Sequence, residues 1–387
     1  MRICHVTPHL PPDQAANALL PAHLGRWSSA RGDVVDYVAH PPRAGEAAGD
    51  LAGNVTWVAA NQARGVMRRM GSLLAARRMR REAGEAIRRA DVVHVHSNGL
   101  LAEMGARMAV ASGTPVVLTL YGTEIWHYQA KAWPFDLFTE AYRGASAVTF
   151  YSRGLHDKAI ELGLTRPGLS VVYPPVVDAF VPATHAEREA IRARLGLRAR
   201  HVLVNVKRLH PLAGQRVLVD AMPEILRHHP DTQLVICGTG PLADELRAAA
   251  HGAGVADRVT FAGLVPNAVV ADYNRAADLF VLPSRLEALP TVAVEALACG
   301  TPVVSADHPG GVELHGLFGD DVAVVPREDS ARLARAIVDR LASPRRTAAA
   351  TAEVLTREFR PAAVAARFQA IYGRVTKTSD TDHHHAD

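Results

Sequence analysis

The chain has 387 residues, 48% of them hydrophobic and 21% charged, and its 43 Lys and Arg exceed its 39 Asp and Glu to give a net charge of +4. This balance excludes a disordered or fibrous chain, and the length calls for two cores rather than one. The modest, Arg-weighted positive charge favours an anionic ligand without implying nucleic acid, and the three cysteines, Cys4, Cys237 and Cys299, lack metal-ligand spacing and read as buried reduced thiols.

The chain opens on a strand-like run, Met1-Arg2-Ile3-Cys4-His5-Val6, without the charged, apolar and small-residue regions of a secretory leader. No stretch reaches the roughly 18 uninterrupted apolar residues that span a bilayer. A cytoplasmic protein is expected. Apolar runs then alternate with longer amphipathic stretches: Val34–Val38, Asp91–Val95, Pro115–Leu120 and Ala147–Phe150. Near-continuous Val/Ile/Leu strands separated by helices predict a parallel sheet covered on both faces. Within this half, residues 64–89 carry nine arginines beside Val66, Met67, Met70, Leu73 and Leu74. A solvated helix face is the favoured reading of that pattern, and peripheral contact with an anionic membrane or acidic acceptor the alternative.

The strand pattern restarts at His201–Val206 and continues through Gln233–Cys237, Val259–Phe261, Asp278–Leu282 and Pro302–Val304. Tyr173-Pro174-Pro175 and the charged Glu187-Arg188-Glu189 lie between the two series, which places a hinge and linker near 176–200. The expected division is an N-terminal Rossmann-like domain at 1–180, a C-terminal one at 181–358, a closing helix at 359–374 packing back toward the first domain, and a flexible tail at 375–387. That tail holds His383, His384 and His385 and is assigned no role.

Phosphate-bearing ligands bind where strands end and helices begin, because unpaired backbone N–H groups and the helix dipole both favour negative charge there. Cys237-Gly238-Thr239-Gly240-Pro241 is one such turn, with Gly238 and Gly240 allowing close backbone approach. It also fits a degenerate dinucleotide fingerprint, so a nicotinamide enzyme is a competing reading; that fingerprint, however, belongs on a domain's first strand, and Val202–Val206 precedes this one. A stronger signal runs from Pro283 to Val304 and contains Glu287 and Glu295, eight positions apart. Pro290 suits the start of a helix and Gly300 its end, so Glu295 is predicted within the helix and Glu287 in the loop before it. Charged acceptors of this kind suit sugar and ribose hydroxyls, while the helix start near Thr291 suits phosphate. Either acid alone would read as a cap or an ion-pair partner.

Glu287, seven residues and Glu295, inside the frame Pro283-Ser284…Glu295-Ala296…Gly300-Thr301-Pro302-Val303, resemble the signature of family 4 of the retaining glycosyltransferases. Further segments follow in family order: Asp91–His96, Tyr121-Gly122-Thr123-Glu124, Tyr173–Asp178, Lys207-Arg208-Leu209, Gly238–Pro241, Asp257–Gly263 and Gly310-Gly311. The resemblance implies an α/β GT-B fold, two Rossmann-like domains facing a central cleft. It implies Arg208 and Glu287 as catalytic groups, the first neutralising the donor diphosphate and the second contacting the sugar. Glu295 would hold the ribose, and Gly238, Gly240, Phe261, Leu264, Ala288, Leu289, Pro290, Thr291 and Tyr121 would complete the donor site. Asp13, Gln14, Asn17, His96 and Glu124 would form the acceptor side. No cofactor and no metal are expected beyond a nucleotide-diphosphate sugar as co-substrate.

Three departures stand out. Ala213 occupies the place of a diphosphate-binding lysine that the family carries five residues after the position of Arg208; Lys207 and His210 are candidate substitutes, although strand alternation directs Lys207 away from Arg208. Tyr121 replaces a histidine that touches the sugar's C6 region, which suggests a donor altered there. Asp13–Asn17 replaces an early glycine pair. The expected function is retaining transfer of a sugar from a nucleotide-diphosphate donor to a small specialised metabolite, such as an antibiotic precursor. A non-catalytic sugar-nucleotide-binding subunit, a lipid- or polysaccharide-directed transferase and a sugar-nucleotide epimerase are the alternatives.

Overall fold

The computed structural model describes residues 1–387 apart from 14, 44–45, 61–67, 133–135 and 384–387, and describes the backbone alone at 68–73 and 378–383. Contacts divide the chain into two compact units, one of Met1–Pro174 with Val364 onward, the other of Pro175–Ala363.

In the first unit the elements run β1 (Arg2–Val6), α1 (Ala16–Ser29), β2 (Val34–Ala39), β3 (Asn54–Trp57), α2 (Arg68–Arg88), β4 (Val92–His96), α3 (Leu100–Ala111), β5 (Val116–Leu120), α4 (Thr123–Trp126), α5 (Leu137–Gly144), β6 (Ala147–Phe150), α6 (Arg153–Glu161) and β7 (Leu169–Val171). The sheet order is β3-β2-β1-β4-β5-β6-β7, with parallel pairing throughout. Every residue of β4, β5 and β6 is buried, as strands covered on both faces must be. Strand order reverses between β1 and β4, where His5 lies opposite His94.

The second unit begins with α7 (His185–Leu195), so the stretch expected as a linker is a helix. Thr184 and Glu187 close a reciprocal capping box at its start, which satisfies two N–H groups that a helix otherwise leaves orphaned. Arg188 and Arg192 on α7 reach the same carboxylate, Asp278, at 2.6 and 2.7 Å, and Asp278 also accepts the Val202 N–H at 2.7 Å. This largely buried clamp binds α7 to the second unit. Then follow β8 (His201–Val206), α8 (Gln215–His228), β9 (Thr232–Cys237), α9 (Ala243–Gly252), β10 (Val259–Gly263), α10 (Asn267–Ala276), β11 (Leu279–Leu282), α11 (Thr291–Ala298), β12 (Val303–Ala306), α12 (Pro309–Phe318), β13 (Val322–Val325), α13 (Ser330–Ala342) and α14 (Ala349–Glu358). The order β10-β9-β8-β11-β12-β13 is again parallel and reverses once, between β8 and β11. Leu218, Met222 and Ile225 of α8 pack with Leu333 and Ile337 of α13 and Leu203 and Leu234 of the sheet, the apolar stripe that the helical period demands.

The last helix, α15 (Pro361–His383), runs past 374, so residues 375–383 continue the helix where a tail is expected. Its Phe368 and Tyr372 are buried against His94 of β4. All three cysteines are buried and reduced, and burial pushes the Cys237 and Cys299 thiols up to about 12.

Candidate active site

An open parallel sheet binds ligands beyond the carboxyl ends of its strands, at the point where strand order reverses. In the second unit that point lies between β8 and β11, and the Asn205 side chain bridges it by donating to the Val281 carbonyl at 2.8 Å. The loops that leave these strands are joined directly. Arg285 N–H donates to Leu212 O at 2.8 Å, and a Cβ on Gly214, whose φ is +67°, would meet Pro283 O at 2.0 Å.

The loop after β9 runs equally close to the loop after β8. Lys207 N–H donates to Cys237 O and Leu209 N–H to Thr239 O, each at 3.0 Å. A Cβ at Gly238 would lie 2.1 Å from Lys207 O, and one at Gly240 2.2 Å from Leu209 O, so this packing admits only glycine at the two positions. Arg208 is exposed, and its guanidinium makes no hydrogen bond or ion pair among the described residues. Lys207 is half-buried, and its ammonium contacts Glu287 Oε1 at 2.7 Å.

Glu287 lies in the loop after β11 and Glu295 in the second turn of α11. Pro290 falls one residue before the helix, and Gly300, at φ +80°, follows its end. Glu295 is half-buried, and desolvation pushes its carboxyl up to about 8; it has no hydrogen-bond partner among the described residues. Leu289 and Pro290 are buried, whereas Ala288 and Thr291 are half-buried. Gly310 N–H donates to Glu287 O at 3.0 Å, and a Cβ on Gly310 would crowd Ala288 O and Pro290 Cδ. His308 caps α12 by accepting the Gly311 N–H at 2.9 Å, and burial brings its imidazole down to about 4, so it stays neutral. Sequence reasoning missed His308; the signal was a polar residue before Pro-Gly-Gly at a helix start. Phe261 packs against the core under the Arg247 guanidinium, 5.4 Å from its ring centre, while Leu264 is 83% exposed.

Ala213 is buried and brings no charge. His210 Nδ1 accepts the Leu212 N–H, so that nitrogen is not a free phosphate donor. Lys207 lies beyond the last residue of β8, where strand alternation no longer governs it, and it turns toward Glu287.

In the first unit the acceptor-side residues divide. Asp13 accepts the Ala15 N–H at 2.9 Å, the Asn17 carbonyl accepts the Thr7 hydroxyl, and Gln14 lies outside the described residues. His96 and Glu124 are both buried and hydrogen-bonded within this unit. His96 pairs with His5 at 3.0 Å and the Tyr121 hydroxyl at 2.7 Å. Glu124 accepts the Ser97 hydroxyl through Oε1 and, through Oε2, the Gly122 N–H at 2.8 Å, and so serves the turn into α4. The Tyr121 hydroxyl, expected to meet the donor, is directed inward to His96, with its ring 4.5 Å from that of Tyr151.

His5, His94 and His96 place nitrogens within 4.8 Å of one another, the spacing of a metal site. Both His94 nitrogens are engaged, at 2.6 Å, by the hydroxyls of Tyr372 and Thr119, and both His96 nitrogens by His5 and Tyr121, so only His5 Nε2 keeps an uncommitted site. The three form a buried hydrogen-bond chain of imidazoles that burial keeps neutral.

Two parallel Rossmann-like sheets, with Lys207, Arg208 and Glu287 on the loops that leave β8 and β11 in the second, define a GT-B protein. Solved structures share the fold: sucrose-phosphate synthase from Thermosynechococcus elongatus superposes with a TM-score of 0.75 at 20% identity, covering 98% of this chain and 100% of that one. HepE of Anabaena, solved with UDP and glucose, gives 0.71 at 20% identity over 96% and 98%. The family model described as Glycosyltransferase Family 4 matches residues 22–180, and that described as Glycosyl transferases group 1 matches 187–353. Among curated relatives, the 2-deoxystreptamine N-acetyl-D-glucosaminyltransferase of Streptomyces fradiae is 32% identical over 70% of this chain and 68% of its own. The GDP-mannose-dependent alpha-(1-6)-phosphatidylinositol monomannoside mannosyltransferase of Mycolicibacterium smegmatis is 38% identical over 53% of this chain, and the match spans 55% of that protein's length. The chain belongs to glycosyltransferase family 4.

Proposed function

We propose that the protein is a retaining glycosyltransferase that takes a sugar from a nucleotide-diphosphate donor, held by the second unit, and transfers it to a small specialised metabolite. The observation that carries the donor assignment is the convergence of Lys207, Arg208 and Glu287 beside the Gly238-Thr239-Gly240 turn at the β8–β11 switch point. Arg208 and the turn's amides would stabilise the departing diphosphate as C1 of the sugar gains positive character. Glu287 and Glu295 would accept sugar and ribose hydroxyls. In this reading the bond from C1 to the diphosphate oxygen breaks, the acceptor's nucleophile bonds to C1 on the same face, and the departing phosphate oxygen takes the acceptor's proton.

The small-metabolite acceptor is supported by the aminocyclitol-directed relative, whose match covers more of this chain than the mannosyltransferase does. A lipid acceptor is the second reading, favoured by the higher identity of the phosphatidylinositol-directed relative and by Arg77, Arg78, Arg80 and Arg81, all exposed on α2. A thermal-shift screen of UDP-, GDP-, dTDP- and ADP-linked sugars should show one nucleotide raising the melting temperature selectively, with loss in Glu295→Ala. Transfer from that donor to aminocyclitols rather than phosphatidylinositols, with the anomeric configuration kept in the NMR spectrum of the product, would complete the test. Donor binding without turnover on either acceptor class would favour a non-catalytic subunit.

A further inference from the structure

Lys207 has a position that its strand does not explain. Its backbone is fixed, since its own N–H bonds β9 at Cys237 O and Leu209 N–H bonds Thr239 O two residues on. From that anchor the side chain crosses the boundary between β8 and β11, and its ammonium pairs with Glu287 Oε1 at 2.7 Å. The two side chains are 29% and 14% exposed, so the pair is open to solvent on one side. An ammonium has three N–H donors, and Glu287 is its single partner among the described residues, which leaves donor capacity unused.

The surroundings favour an anion in preference to Glu287 alone. Arg208, one residue on, is exposed, and its guanidinium has no partner among the described residues. Between them Lys207 and Arg208 have one carboxylate contact among the described residues, so the loop carries an excess of positive charge. The neutral His308 adds none, and neither does the buried Ala213. The adjacent Gly238-Thr239-Gly240 turn packs its glycines directly on Lys207 O and Leu209 O, which fixes the loop that carries both cations. The pair is open to solvent on one side, so Glu287 can give way to a diphosphate, which carries two negative charges.

We infer that Lys207 is a donor-phosphate residue: its ammonium supplies, beside Arg208, the second positive charge at the diphosphate, and Glu287 holds it at the site until the donor binds. The inference rests on the donor reading proposed above. Its failure is distinguishable from failure of that reading, because the unmodified chain is measured first.

The test is calorimetric titration of the full chain and of Lys207→Gln, Lys207→Ala and Lys207→Arg with the best-binding nucleotide of the UDP, GDP, dTDP and ADP set. Each protein is titrated with the free nucleoside diphosphate, the monophosphate, the nucleoside and the sugar nucleotide. Lys207→Gln and Lys207→Ala should weaken the diphosphate about 10- to 100-fold, as expected for loss of a charged hydrogen bond, and leave the nucleoside within about 3-fold. Lys207→Arg should recover most of the loss. Unchanged diphosphate affinity in Lys207→Gln overturns the inference. A loss confined to the sugar nucleotide also overturns it, since Lys207 would then act only by orienting Glu287. Equal weakening of nucleoside and diphosphate, with an unaltered melting temperature, counts against it as well. If the unmodified chain binds none of the four nucleotides, the donor reading itself fails and takes the inference with it.

Discussion

The hydroxyl of Tyr372 meets Nδ1 of His94 at 2.6 Å, joining the C-terminal helix to a central strand 278 residues earlier, and both side chains are buried. Thr119 takes the other His94 nitrogen at 2.6 Å and passes the chain to Thr149 at 2.7 Å. Tyr372→Phe keeps the ring but leaves a buried imidazole nitrogen unpaired. An unmet buried polar group costs about 1–3 kcal/mol, so the variant should unfold several degrees lower by circular dichroism. An unchanged melting temperature would mean that His94 finds another partner.

The same histidines make the protein sensitive to acid. Burial lowers the imidazole of His5 to about 3, and those of His94 and His96 well below the usual 6.5. These groups stay neutral in the folded chain and take up protons when it unfolds. Their folded pKa values lie below the unfolded value, so the unfolded state binds more protons over this window; stability is held above about pH 6.5 and falls as pH drops toward 3. Each histidine contributes up to about 1.4 kcal/mol per pH unit within that window. Melting temperatures measured from pH 8 to pH 4.5 should fall progressively below about 6.5, and a flat profile down to pH 5 would contradict the neutral chain.

Glu295 should make donor binding depend on pH in the opposite region. Its carboxyl, at about 8, is protonated at neutral pH in the absence of ligand. Ribose hydroxyls donate more strongly to the carboxylate, so binding favours deprotonation. Affinity for the sugar nucleotide should therefore be greatest above about pH 8 and fall by up to about tenfold per unit below it. The sugar nucleotide is the suitable probe because its diphosphate does not titrate in this range. Glu295→Gln should bind more weakly at pH 8.5 and show no such slope; a slope that persists in the variant would assign the titration elsewhere.

What the sequence determined by itself was what local periodicity and turn chemistry carry. Continuous apolar runs such as Val92–His96 and His201–Val206 specify strands covered on both faces, and the restart at His201 specifies a second sheet. Pro290 and Gly300 delimit α11 closely enough to put Glu287 in a loop and Glu295 in a helix. Tertiary structure decided the partners. Alternation along β8 directs Lys207 away from Arg208, yet beyond the strand's last residue no such rule applies, and Glu287, 80 residues on, sets where the ammonium goes. His96 finds His5 on a neighbouring strand, Tyr121 finds His96, and Glu124 finds Ser97 just past β4, pairings that folding makes and local sequence does not show. Glu187-Arg188-Glu189 reads as a charged linker until Asp278, 90 residues after Arg188, supplies the acceptor that makes α7 part of the second unit. Hydrophobic period is a property of neighbours in sequence, whereas the direction of a polar side chain follows the nearest buried or charged group that folding brings to it.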